Sequence, residues 1–231
     1  MGSILCLETS SKVCSVAAGN DGLVLSCVES ETANAHSSQL SELTGRALHE
    51  AGLRLNDLDA VAVSMGPGSY TGLRIGVAAA KGFCYSLNKP LIAIPTLKSL
   101  AFGMQLSAGN ATAFLCPMLD ARRMEVYTAV YDFSLNEIRP VSAEIITADS
   151  FMDLLDSGTM IFAGEGASKC KALLGYHKHS VFMDDFKLSA RFLYPMAIEK
   201  FRLGQFENLA YFEPYYLKDF VAGKPRVKGL R

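Results

Sequence analysis

The chain has 231 residues, half of them hydrophobic, and 22 Lys and Arg against 23 Asp and Glu leave a formal net charge of −1. That length holds one large domain or two of ordinary size, with a substantial core. The near-neutral balance excludes a global field for nucleic acid or an anionic membrane, so any such contact needs a local patch. In chain order, MGSILCLETSSK lacks the basic flank and apolar core of a secretory signal, and Cys6 stands where a myristoylation signal wants Ser or Thr. ILCLETS, VCSVAAG and LVLSCVE read as short strands, with SSK and NDG as turns between them. HSSQLSELTGRALHEAGL predicts a helix with Leu40, Leu43, Ala47, Leu48 and Ala51 on one face and Ser37 or Ser38 as its cap. NDLDAVAVSM is a strand, YTGLRIGVAAAKGFCYSL a helix, LIAIP a strand, and a further helix starts at Thr96, itself a cap candidate.

The second half repeats this order. TAFLCPML, MEVYTAVYDF and IRPVSAEII are strands, TADSFMDLLDSG a capped helix, MIFAG a strand and GASKCKALLG a helix. SARFLYPMAIEKFRLGQF predicts a last long helix. The repeat joins near Ser107 to Asn110, so the expected fold is α/β with two lobes, 1–106 and 107–231. Each lobe has a mixed sheet begun by antiparallel hairpins. That is the layout of a duplicated ribonuclease-H-like fold; another helix-covered α/β sheet is the alternative.

The stretch MGPGSYTGLRIGVAAAKG, residues 65–82, puts a glycine-rich turn between a strand and a helix, a place suited to phosphate. Both common phosphate signatures fail. Walker A needs Lys-Ser/Thr after its last glycine and finds Leu73-Arg74, while Pro67 removes an N–H and Thr71 replaces a glycine of the dinucleotide fingerprint. Within the helix, Gly72, Gly76 and Ala80 lie four apart with Ala79 beside them. Helical glycines cost about 1 kcal/mol each against alanine, so this bare face needs a packing reason. Two remain open: the chain's own sheet, or a helix–helix interface to which the segment bearing Gly45, Ala47 and Ala51 could contribute.

Other chemistry is sparse. Six scattered cysteines without a Cys-x-x-Cys pair predict reduced core thiols and suit the cytoplasm. His36, His49, His177 and His179 include no pair four apart, HEAGL breaks a zinc-protease motif at Leu53, and His177 and His179 would diverge on a strand, so no metal site is expected. Ser69 lies in no Gly-x-Ser-x-Gly elbow. Asp184 and Asp185 predict a solvated turn, Asp57 and Asp59 a cap or turn, and Glu8-Thr9-Ser10 a polar turn where a phosphate could lie. The end, KDFVAGKPRVKGLR, carries Lys218, Lys224, Arg226, Lys228 and Arg231 against Asp219 and reads as a solvated terminus, with RNA contact as the other reading.

Taken together, ILCLETSSKVCSVA, AHSSQLSEL, LDAVAVSMGPGSYTGLRIGVAAAKG, IPTLKSLA, DARRMEVYTAVY and EPYYLKD resemble the TsaB (YeaZ) family, in order over most of the chain. The most specific block is Gly66, Pro67, Gly68, Ser69, Tyr70, Thr71, Gly72 and Arg74. The resemblance implies the actin-like ATPase (ASKHA) fold and a non-catalytic scaffold in synthesis of N6-threonylcarbamoyladenosine at position 37 of tRNA. It implies no catalytic residues, no cofactor bound by the isolated chain, and ATP and metal held by partner subunits. The implied partners are a TsaD-type catalytic subunit, a TsaE-type ATPase, tRNA through the complex, and a second copy when alone; no membrane is implied. It places the partner interface on Leu40, Leu43, Ala47, Ala51, Gly72, Gly76, Ala79 and Ala80, and leads one to expect glycine where Met124 stands. The rivals are an ASKHA-type phosphotransferase, from the loop and the two lobes, and a glycoprotease-like metallopeptidase.

Overall fold

The computed structural model describes residues 2–32 and 35–218. The first half runs β1 (Ile4–Glu8), β2 (Cys14–Asn20), β3 (Leu23–Ser30), α1 (Ala35–Glu50), β4 (Ala60–Gly66), α2 (Tyr70–Leu87), β5 (Leu91–Pro95) and α3 (Thr96–Ser107). The second runs β6 (Phe114–Asp120), β7 (Glu125–Tyr131), β8 (Glu137–Ile145), α4 (Met152–Ser157), β9 (Met160–Ala163), α5 (Ala167–Leu174), β10 (Ser180–Met183) and α6 (Tyr194–Arg202). The sheets are ordered β3-β2-β1-β4-β5 and β10-β9-β6-β7-β8. In each, a three-strand antiparallel meander is extended from its first strand by two parallel strands. The duplication legible in element order is therefore a duplication of topology.

Strand periodicity decides which helices lie where. Leu5, Leu7, Val61 and Val63 point to the side covered by α1 and α2, while Ile4, Cys6, Ala60 and Ala62 point to the side covered by α6. In the second sheet, Leu115 and Leu119 meet Leu97, Leu100 and Met104 of α3, and Cys116 and Met118 face Leu155 and Cys170. Each half thus lends its final helix to the other's sheet. Tyr194 anchors α6: it has no exposed surface, and its hydroxyl donates to the Gly2 carbonyl at 3.4 Å and accepts from the Gly22 N–H at 3.1 Å.

Several local expectations are corrected. α1 already includes Ser37 and Ser38, so neither is its cap. Pro95, not Thr96, precedes α3, and the buried Thr96 hydroxyl instead accepts from the Gly66 N–H at 3.0 Å. α4 has no side-chain cap; left-handed Phe151 precedes it and the Ser150 hydroxyl accepts from Thr147 N–H. The last long helix is a 3-10 turn, Ala190–Phe192, followed by the nine residues of α6. β10 lies where the sequence shows no strand, because four residues beside a polar turn give too little periodicity. Asp184 and Asp185 do form an exposed turn, where Asp184 pairs with Lys171 at 2.6 Å.

Candidate functional site

The glycine-rich turn is filled by the chain itself. Ser69 caps α2, its hydroxyl accepting from Gly72 N–H at 3.2 Å, and Ser69 N–H donates to the Ser10 carbonyl at 2.7 Å. The Thr9 hydroxyl donates to the Gly72 carbonyl at 2.7 Å. A Cβ on Gly72 would stand 1.9 Å from the Thr9 carbonyl oxygen, and one on Gly76 2.2 Å from the Thr9 hydroxyl. Thr9 and Ser10 therefore pack into the glycine-rich turn, whereas Glu8, expected in the same polar turn, is the last residue of β1. On the other side, Tyr215 N–H donates to the Met65 carbonyl at 2.7 Å. The Tyr216 ring lies 4.8 Å from that of Tyr70, over which Arg74 also sits. Thr71 is exposed at the start of α2, and the Gly66–Pro67 peptide is cis.

This settles the two readings of the bare helix face in favour of the chain's own sheet. Leu40, Leu43, Ala47 and Ala80 belong to the core formed with β1 and β4, and Gly72 and Gly76 are buried against Thr9. Ala51 and Ala79 are half-buried at its rim. The six buried residues cannot present themselves to a partner, and the implied interface on them is corrected: helical spacing marks a small-residue face but not the surface it meets. The outward face of the same helices is different. Gly45, Ala78, Gly82 and Tyr85 are exposed, Ile75 and Phe83 are half-buried, and among the described residues no atom beyond the helix's own backbone lies within 4 Å of where a Cβ on Gly45 or Gly82 would stand.

Beneath the turn lies a group that sequence reasoning registered only as polar. Glu8 has no exposed surface; its Oε1 accepts from Ser10 N–H at 2.7 Å, Ser10 hydroxyl at 2.5 Å and Ser64 hydroxyl at 2.9 Å, while Oε2 meets no partner. Burial pushes its carboxyl up to about 7, against the pull of those hydrogen bonds. Between the halves, a cleft of about 240 Å³ is lined in part by Ser11, Lys12, Glu165, Ser168 and Lys187. Its charges are mixed: Lys187 pairs with Glu31 at 2.6 Å, and burial raises the Glu165 carboxyl although Lys12 opposes this.

Among the described residues no three His, Cys, Asp or Glu side chains converge on a point that could hold a metal ion. His177 and His179 do not diverge; on a turn, their rings stand edge-on at 5.6 Å, with His177 on Asp156 and His179 on the Leu155 carbonyl. All six cysteines are free and five are buried; burial raises Cys14 and Cys84 to about 11 and Cys116 to about 12, so their thiols stay protonated. No helix among the described residues is long and apolar enough to cross a membrane. Of the basic tail, everything after Lys218 lies outside the described residues.

Two duplicated mixed sheets with exchanged helices define an α/β protein of the ASKHA type. The same fold is seen in a 2-hydroxyisocaproyl-CoA dehydratase activator from Clostridium difficile, with TM-score 0.53, 9% identity and coverage of 89% of this chain and 98% of that one. YeaZ from Pseudomonas aeruginosa superposes with TM-score 0.82 at 24% identity, over 94% of this chain and all of that one. The family model described as TsaD, tRNA N6-adenosine threonylcarbamoyltransferase, matches residues 27–196. The tRNA threonylcarbamoyladenosine biosynthesis protein TsaB of Escherichia coli K12 is 32% identical over 229 residues, 96% of each chain. The chain belongs to the TsaB (YeaZ) family of tRNA threonylcarbamoyladenosine biosynthesis proteins.

Proposed function

We propose that this chain is a non-catalytic subunit that binds and positions a TsaD-type catalytic subunit through the outward face of α1 and α2. It works in an assembly with a TsaE-type ATPase and pairs with a second copy when alone. The reading is carried by the contrast between two sets of helical glycines. The inward pair, Gly72 and Gly76, lets Thr9 approach the α2 backbone. The outward pair, Gly45 and Gly82, has open space where a Cβ would stand among the described residues, so its helix-propensity cost of about 1 kcal/mol each has no packing offset there. Beside them Tyr85 is 83% exposed, an aromatic of the kind that anchors interfaces. A polypeptide approaching the helix backbones closely would meet both needs.

Assigning ATP and metal to the partner subunits is supported by the filled glycine turn, whose α2 N-terminus is capped by Ser69 and closed by Thr9 and Ser10. Gel filtration of the chain mixed with a TsaD-type subunit tests the proposal. Co-elution is expected; separate elution of the two unaltered proteins would remove it.

A further inference from the structure

We propose that Arg122 and Arg123, at the tip of the β6–β7 hairpin, contact the phosphate backbone of the tRNA on which the assembly acts; this rests on the function proposed above. The tip is a four-residue connection, residues 121–124. It is closed by hydrogen bonds from Ala121 N–H to the Glu125 carbonyl and from Glu125 N–H to the Arg122 carbonyl, both 3.1 Å. Arg122 and Arg123 are both left-handed, with φ of 73° and 49°, whereas Met124, the position at which glycine was expected, is not. Successive left-handed residues favour glycine or asparagine, and arginine there is strained.

The Arg122 backbone N–H donates to Asp120 Oδ1 at 3.0 Å, which supports the turn, but the two side chains gain nothing comparable among the described residues. Both arginines are exposed, and neither guanidinium makes a hydrogen bond or ion pair among the described residues. The acids flanking the tip are paired with lysines, Asp120 with Lys169 and Glu125 with Lys218, and neither pairs with the two guanidiniums. Lys218 is also the last described residue, and the sequence beyond it carries Lys224, Arg226, Lys228 and Arg231 against Asp219. Exposed, unengaged guanidiniums match phosphate oxygens in charge and in their forked geometry. In a chain of net charge −1, a local patch of this kind is what an RNA contact requires.

The test uses the reconstituted assembly and an unmodified tRNA transcript, with affinity measured between about 50 and 200 mM KCl. The double variant Arg122→Asn, Arg123→Asn removes both charges while placing a residue that tolerates left-handed backbone. It should bind more weakly and lower the slope of log affinity against log salt by about 2, roughly 1 for each lost phosphate contact. Its thermal midpoint should be unchanged or higher. Arg122→Lys, Arg123→Lys should keep most of the slope. An asparagine variant with unaltered affinity and slope in an intact assembly overturns this inference alone. Loss of the assembly by that variant also overturns it, by showing that the tip docks an acidic protein surface. Failure of the unaltered chain to assemble instead strikes the proposed function.

Discussion

Thr9 and Gly72 hold each other from two sides: the Thr9 hydroxyl donates to the Gly72 carbonyl at 2.7 Å, and the Thr9 carbonyl occupies the space a Gly72 side chain would need. Gly72→Ala would drive a methyl into a backbone oxygen that cannot rotate away, and Gly76→Leu would displace the Thr9 side chain. Each should lower the unfolding free energy by about 1–3 kcal/mol or more. Gly45→Ala, in open space, should raise it by about 0.5–1 kcal/mol. Denaturant titration of the three variants checks this, and a tolerated Gly72→Ala would contradict the clasp.

The buried Glu8 makes stability depend on pH. Its folded-state value of about 7 lies above the ordinary 4.5. Between those limits the unfolded chain has released a proton that the folded chain still holds, so this contribution falls as pH rises and is flat above about 7. The full change is on the order of 3 kcal/mol. Glu8→Gln removes the titration, so wild-type stability relative to this variant should decline from about pH 4.5 to 7. A difference independent of pH across that range would show that the carboxyl is ionised throughout.

The segment after α6 crosses back over the first half. Glu207 N–H donates to the Leu91 carbonyl at 2.9 Å, and Lys81 reaches the carbonyls of Ala210 and Phe212 at 3.3 and 3.2 Å. Leu209 and Phe212 pack on the core beneath α1 and α2. Phe212→Ala should therefore cost about 1–3 kcal/mol, below the full-burial range because the ring is half-buried. Tyr211→Ala, at a side chain 83% exposed, should stay within about 0.5 kcal/mol. Equal effects of the two would mean that this segment is not docked as described.

The first lobe was legible because its central strands are short continuous apolar runs, ILCL and AVAV, buried on both faces and bounded by turn residues. Leu5 and Leu7 go to one side and Ile4 and Cys6 to the other, and the turns at SSK and NDG are strong. The glycine turn was legible as a turn, and its failure as a phosphate motif could be read from Pro67, Leu73 and Arg74. What it packs against could not. The contacts of Thr9 with Gly72 and of Met65 with Tyr215 span 63 and 150 residues, and no local pattern records them. Nor does spacing record the burial of Leu40, Leu43 and Ala47, which the resemblance placed on the partner surface, since an apolar stripe looks alike whether it meets the chain's own sheet or another protein. Nothing in ETSSK shows that a carboxylate after four core residues stays inside, so the burial of Glu8 is not legible locally.

The outward face of α1 and α2 as the partner surface is tested most directly by Gly82→Glu, since the position has open space and the variant should fold at least as well as the parent. The expected result is loss of co-elution with the TsaD-type subunit at an unchanged or raised thermal midpoint. Complex formation at parental affinity by that folded variant would contradict the assignment.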